Sequence, residues 1–158
     1  KAKLPEREEF LNRVVKSLKE SVYAALAAEG TPLEGEISSK RSRVALVNSN
    51  WRFKLLNKIG VFARETSDIS LLNTEITLAN LCGLPLVGLP GEPLPAVGYE
   101  VKSRLGDPDA LVLGLANDEL GYILPKGHFR SRLYKYEQTM SVGPNMAPQL
   151  MAALESLK

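Results

Sequence analysis

Apolar residues recur with a helical period in some stretches of the chain and with the two-residue period of strands in others. Over residues 5–29 an apolar residue recurs at every fourth position from Phe10 to Leu26, which predicts a long amphipathic helix. Pro5 suits the first turn of this helix, and Gly30 suits its end. We interpret the helix as scaffold.

Two stretches, 36–47 and 71–81, have the two-residue period of strands. Glu75, in the second stretch, is expected to be exposed. Residues 50–59 predict a short helix with Asn50 as N-cap and Trp51 as a core anchor. A last helix is predicted over 145–157.

The middle of the chain predicts a strand, a helix and a second strand. Apolar runs at 84–89 and 110–115 flank a helix that begins at Pro95, which is typical of parallel strands joined by a crossover. The predicted fold class is α/β, a mixed sheet with central parallel strands flanked by helices. Since loops that follow parallel strands meet at one sheet edge, Glu92 and Tyr122 are expected to face one pocket. The alternative is that Gly91 and Gly121 serve tight turns and Glu92 caps a helix.

Length and charge limit the classes of protein to consider. The 158 residues predict a single domain over 1–158. The 20 Lys and Arg residues nearly balance the 18 Asp and Glu residues, so net charge gives no reason to propose nucleic acid or an anionic membrane. No apolar run is long enough to predict a transmembrane segment. The chain starts at Lys1 rather than Met, which indicates a fragment or a processed product.

Candidate chemistry is sparse. A single cysteine, Cys82, and a single histidine, His128, exclude a disulfide framework and a self-contained His-rich metal site. We expect Cys82 to be a small buried residue and His128 to face solvent from a loop. The sequence has no phosphate loop, dinucleotide fingerprint or nucleophile elbow, so no catalytic nucleophile is assigned.

Three ordered blocks in the second half resemble the neutral/alkaline (non-lysosomal) ceramidase family. They are Val-Gly-Leu-Pro-Gly-Glu at 87–92, Gly-Leu-Ala-Asn through Gly-Tyr-Ile at 114–123, and Tyr-Glu at 136–137 followed by Gly-Pro at 143–144. Their order and spacing are similar to those of the C-terminal part of that family's catalytic domain. The resemblance implies that the chain is the C-terminal portion of a larger ceramidase-like domain.

The resemblance also implies a function. Family members are zinc-dependent amidohydrolases that cleave the amide bond of an N-acyl sphingoid base. By position, Glu92 and Tyr122 are two of the zinc ligands. The other two ligands, both histidines, and the nucleophilic serine lie upstream in the family, so this chain alone is expected to be inactive and to need that upstream part as partner. A secreted or periplasmic location is implied by the family, whereas the residues themselves leave the compartment open.

The chain departs from the family pattern near the first block. Leu94-Pro95 stands where the family usually has Thr soon after the glutamate, and Tyr99-Glu100 stands where it usually has two arginines. These departures bear on the substrate, and they motivate the alternative of a non-catalytic α/β scaffold or a small-ligand or phosphate-binding module.

Overall fold

A computed structural model describes residues 4–30, 32–61 and 69–158. The chain divides into two compact units, 1–32 and 33–158. The first unit contains α1 (Leu4–Ala27), so the predicted long helix is confirmed. Its apolar stripe is exposed, from 45% at Val14 to 76% at Leu26. No helix among the described residues is long and apolar enough to cross a membrane.

The second unit holds the remaining elements. Its strands are β1 (Ile37–Val47), β2 (Leu71–Leu81), β3 (Leu84–Gly88), β4 (Glu92–Pro93), β5 (Leu111–Leu113) and β6 (Tyr122–Ile123). Its helices are α2 (Trp51–Lys58), α3 (Pro95–Leu105), α4 (Lys135–Thr139) and α5 (Met146–Glu155), with a 3₁₀ helix at Lys126–Arg130. The predicted strands at 36–47 and 71–81 and the predicted helices at 50–59 and 145–157 are therefore confirmed, with small shifts at their ends.

The main sheet has the order β1-β2-β3-β5. β1 pairs with β2 and β2 with β3 in antiparallel fashion, while β3 and β5 are parallel, with Val87 opposite Val112. The fold is thus α/β with a mixed sheet, as predicted. The parallel pair is not central as a whole, because β5 forms an edge of the sheet and only β3 is interior.

The core lies between this sheet and the C-terminal helix. α5 packs against β1 and β2, and α3 contacts α5. Fully buried side chains come from each of these elements, among them Leu46, Ile76, Val87, Val101 and Leu150. The apolar spacing of α5 explains this placement, since its buried residues share the face that the sequence pattern defines.

Four predictions of side-chain environment were wrong or only partly right. Trp51 is 62% exposed and is no core anchor. Cys82 is partly exposed in the turn between β2 and β3, where it has a positive φ of 52°. His128 is half-buried rather than solvent-facing. Glu75 is also half-buried, and its carboxylate lies 3.6 Å from the Arg41 guanidinium.

Candidate functional site

Glu92 and Tyr122 lie directly opposite each other in a small second sheet. β4 and β6 pair in parallel with Glu92 and Tyr122 as register partners. The Glu92 N–H donates to the Gly121 carbonyl at 2.9 Å, and the Leu94 N–H donates to the Ile123 carbonyl at 3.0 Å. Both strands follow the parallel strands of the main sheet in the chain, so the topology brings together the two residues that the sequence had placed at one edge.

Close backbone contact explains the two glycines that precede these residues. A Cβ on Gly91 would collide with the Gly121 carbonyl oxygen, and a Cβ on Gly121 would collide with the Met140 carbonyl oxygen. Gly121 also has a φ of 78°, in the left-handed region that favours glycine. The alternative in which Glu92 caps a helix is wrong, because Leu94 is the N-cap residue of α3.

A third segment fixes β6 from its other side. The Tyr122 N–H donates to the Met140 carbonyl at 2.9 Å, and Gly121 forms an antiparallel bridge with Ser141. The side-chain amide nitrogen (Nδ2) of buried Asn50 donates to the Ser141 carbonyl at 2.8 Å. Tyr122 is therefore held by backbone hydrogen bonds that continue through Ser141 to the start of α2.

The two candidate side chains also interact with each other. The Glu92 carboxylate lies close enough to the Tyr122 phenol to influence its pKa. Partial burial, followed by the negative charge of Glu92, raises the pKa of the Tyr122 phenol above its ordinary value. The structure thus holds a protonated phenol and a carboxylate side by side, with two oxygen donors at one place.

Two further residues surround Tyr122. The Tyr136 ring meets the Tyr122 ring edge to face with centroids 5.9 Å apart. The charge of Glu137 also contributes to the raised pKa of Tyr122. Both belong to the third block of the resemblance but received no site role from the sequence, because their distance along the chain hides their proximity to Tyr122. Together, Glu92, Tyr122, Tyr136 and Glu137 form what we term the β4–β6 cluster.

An apolar cleft adjoins this cluster. It has a volume of about 370 Å³, and its lining includes Phe53, Leu72, Leu120, Gly121 and Met140. Gly121 and Met140 are the residues whose backbone holds Tyr122 in place. The cleft therefore lies next to the polar cluster and shares its backbone support.

His128 takes part in a different arrangement. Its ring stacks on Tyr134 with centroids 4.7 Å apart, and its Nδ1 atom is buried without a hydrogen-bond partner. The Gln138 amide donates to the backbone carbonyls of His128 and Ser131, which fixes this loop. Within residues 4–30, 32–61 and 69–158, no group of three or more His, Cys, Asp or Glu residues is arranged to hold a metal ion.

The donor set of the β4–β6 cluster fits part of a zinc site. Zinc accepts carboxylate oxygens, and a catalytic zinc site has three protein ligands with an open position. Glu92 and Tyr122 provide two adjacent oxygen donors, so a zinc ion held there would need at least one further protein ligand. Comparison with known proteins found no matching family model, curated protein or solved structure.

Proposed function

We propose that the chain is part of a zinc-dependent amidohydrolase that resembles neutral ceramidase and cleaves the amide bond of an N-acyl sphingoid base or a related lipid amide. The observation that carries the proposal is the register pairing of Glu92 with Tyr122. This pairing puts a carboxylate and a phenol side by side, in the strands that follow the parallel pair of the main sheet. The family blocks in the sequence select the same two residues.

In this proposal Glu92 and Tyr122 hold the metal, and the remaining ligands and the nucleophile come from the upstream part. A zinc ion held there would lower the pKa of a bound water molecule and polarise the scissile carbonyl. Without a cation, partial burial and then the negative charge of Glu92 raise the pKa of the Tyr122 phenol, which favours its neutral form. A nearby positive charge reverses that preference, because it stabilises the ionised phenol.

The apolar cleft supports an amide with an apolar substituent. Its lining includes the carbon surface of Phe53 and Leu72, and two further lining residues, Gly121 and Met140, accept backbone hydrogen bonds from Glu92 and Tyr122. A hydrocarbon chain buried there gains about 0.8 kcal/mol for each methylene group removed from water. A lipid amide is thus a better match to this neighbourhood than a small polar amide.

The phosphate-binding alternative has less support. Anion-binding loops present free backbone N–H groups to the ligand. Here the N–H groups of Glu92, Leu120 and Tyr122 donate to the carbonyls of Gly121, Pro90 and Met140. The glycines of these loops serve close backbone packing, which explains them without a phosphate.

The test uses the longer polypeptide that includes the sequence upstream of Lys1. Glu92→Gln and Tyr122→Phe are expected to lower both zinc stoichiometry and hydrolysis of an N-acyl sphingoid amide. Glu75→Gln and Tyr134→Phe are matched controls, since they make the same chemical changes at residues engaged elsewhere. Unchanged zinc content in both site variants contradicts the proposed ligands, and a longer wild-type polypeptide without zinc or hydrolysis favours the non-catalytic scaffold.

A further inference from the structure

We propose that the outer face of α2 binds the surface of an anionic phospholipid bilayer. The α2 outer face comprises six exposed residues, Trp51, Arg52, Lys54, Leu55, Lys58 and Ile59. This inference goes beyond the proposed function, because binding to a bilayer requires neither zinc nor catalysis.

An apolar row runs along the middle of this face. Trp51, Leu55 and Ile59 follow one another at intervals of four residues and are 62%, 49% and 64% exposed. Residues four apart lie on one side of a helix, so these three side chains form a continuous strip. Tryptophan favours the boundary between water and hydrocarbon, where its ring is buried and its N–H stays hydrated.

Cationic side chains flank the apolar row on both sides. By helical geometry Lys54 and Lys58 lie on one flank and Arg52 on the other. Such long side chains can extend their charges toward lipid phosphates while the apolar row enters the acyl boundary. The helix contains no acidic residue that would oppose this attraction.

The charge asymmetry extends beyond the helix. Residues 37–61 contain no Asp or Glu, and their basic residues are Lys40, Arg41, Arg43, Arg52, Lys54 and Lys58. The chain as a whole has a net charge of only +2, so the total charge does not reveal this basic segment. Within this segment Arg41 is paired with Glu75, and Lys40 donates to the carbonyls of Leu157 and Lys158. The attraction to a negatively charged bilayer therefore comes from the three cations of α2, at about 1 kcal/mol for each.

The opposite face of α2 attaches the helix to the fold. Phe53 packs against the hydrophobic core, and the Asn50 side chain accepts a hydrogen bond from the Arg52 N–H. The other end of the Asn50 side chain donates to the carbonyls of Thr139 and Ser141 at 2.8 Å. The outer face is therefore presented on a fixed helix.

A bilayer suits this surface better than a protein or a nucleic acid. A stable protein interface buries roughly 800 Å² on each partner and involves about 20 residues a side, far more than three apolar side chains on one short helix provide. Nucleic acid would satisfy the cations, but a row of Leu and Ile gains little from a phosphate backbone. A bilayer accounts for both the charge and the apolar row.

Trp51 gives a direct measurement, because it is the single tryptophan of the chain. The full chain is mixed with vesicles of phosphatidylcholine alone or with 30% phosphatidylserine, and binding is measured by co-sedimentation and by Trp51 fluorescence. We expect binding to the anionic vesicles, weakening at high salt, a shift of Trp51 emission to shorter wavelength, and quenching by brominated acyl chains.

Two pairs of variants locate the binding surface. Lys54→Gln/Lys58→Gln is expected to weaken binding on the order of thirtyfold, and Leu55→Asn/Ile59→Asn is expected to abolish the Trp51 shift. Lys16→Gln/Lys19→Gln removes the same charge from α1 and is expected to leave binding unchanged, with circular dichroism confirming that each variant is folded.

Several outcomes would overturn the proposal. They are equal binding to neutral and anionic vesicles, no change in Trp51 emission, loss of binding in the α1 variant alone, or RNA that binds as tightly as the anionic vesicles and displaces them. Because none of these measurements involves zinc or amide hydrolysis, failure here is separate from failure of the proposed function.

Discussion

Replacing Gly121 by alanine tests the backbone support of the β4–β6 cluster. Gly121 has a φ of 78°, and a left-handed conformation costs an alanine about 1–2 kcal/mol. The added Cβ would also collide with the Met140 carbonyl oxygen, which accepts the Tyr122 N–H at 2.9 Å. Displacing that carbonyl breaks a hydrogen bond worth about 1 kcal/mol. Together with about 2 kcal/mol from the left-handed conformation, we expect the free energy of unfolding to fall by about 3 kcal/mol.

Gly106→Ala is the matched control. Gly106 has a similar φ of 68°, but a Cβ there would meet no atom within 4 Å. Its substitution is expected to cost about 2 kcal/mol, from the backbone conformation alone, which is the same term as at Gly121. The two variants therefore differ by the hydrogen bond of about 1 kcal/mol, and with a urea dependence near 2 kcal/mol per M their unfolding midpoints should differ by roughly 0.5 M. Equal midpoints for the two variants would refute the argument that Met140 closely confines Gly121.

Three further predictions concern the core, a surface ion pair and the cluster itself. Leu150→Ala, at a fully buried position, should lower the free energy of unfolding by about 3 kcal/mol in urea titrations, and a loss below about 1 kcal/mol would contradict the observed packing. Lys158 and then Arg104 keep the pKa of Glu155 below its ordinary value, so the stability it contributes is present at neutral pH and lost as pH falls through that lowered pKa. Glu155→Gln should therefore lower the urea midpoint at pH 7 but match wild type in strong acid, whereas a constant difference would exclude this linkage. Glu92→Gln should lower the Tyr122 pKa in an alkaline absorbance titration, and an unchanged pKa would mean that Glu92 does not act on the phenol.

Element type was predictable wherever a hydrophobic period ran over many residues. The strand at 71–81 is observed with the predicted bounds, because its pattern is long and its ends are marked by a turn. In a short helix, however, the spacing of apolar residues does not show which side faces the core. Trp51, Leu55 and Ile59 share a face as predicted, yet Phe53 and not Trp51 packs inward.

The site was predictable only in part. Chain topology alone places Glu92 near Tyr122, since both follow parallel strands. β4 and β6 have two residues each, too few for any periodic signal, and their pairing depends on the contacts of Gly91 and Gly121. The approach of Tyr136 to Tyr122 depends on the fold of the intervening loop, which has no sequence pattern of its own.

The central claim is that Glu92 and Tyr122 are neighbouring ligands of one zinc ion. The most direct measurement is a zinc titration of the longer polypeptide that includes the sequence upstream of Lys1, followed by ultraviolet difference absorbance, which detects ionisation of a tyrosine. We predict a zinc-dependent phenolate signal at neutral pH that is lost in Tyr122→Phe, reduced in Glu92→Gln and retained in Tyr134→Phe. No phenolate signal when the longer polypeptide has bound one zinc ion per molecule, or an equal signal in Tyr122→Phe, would contradict the account.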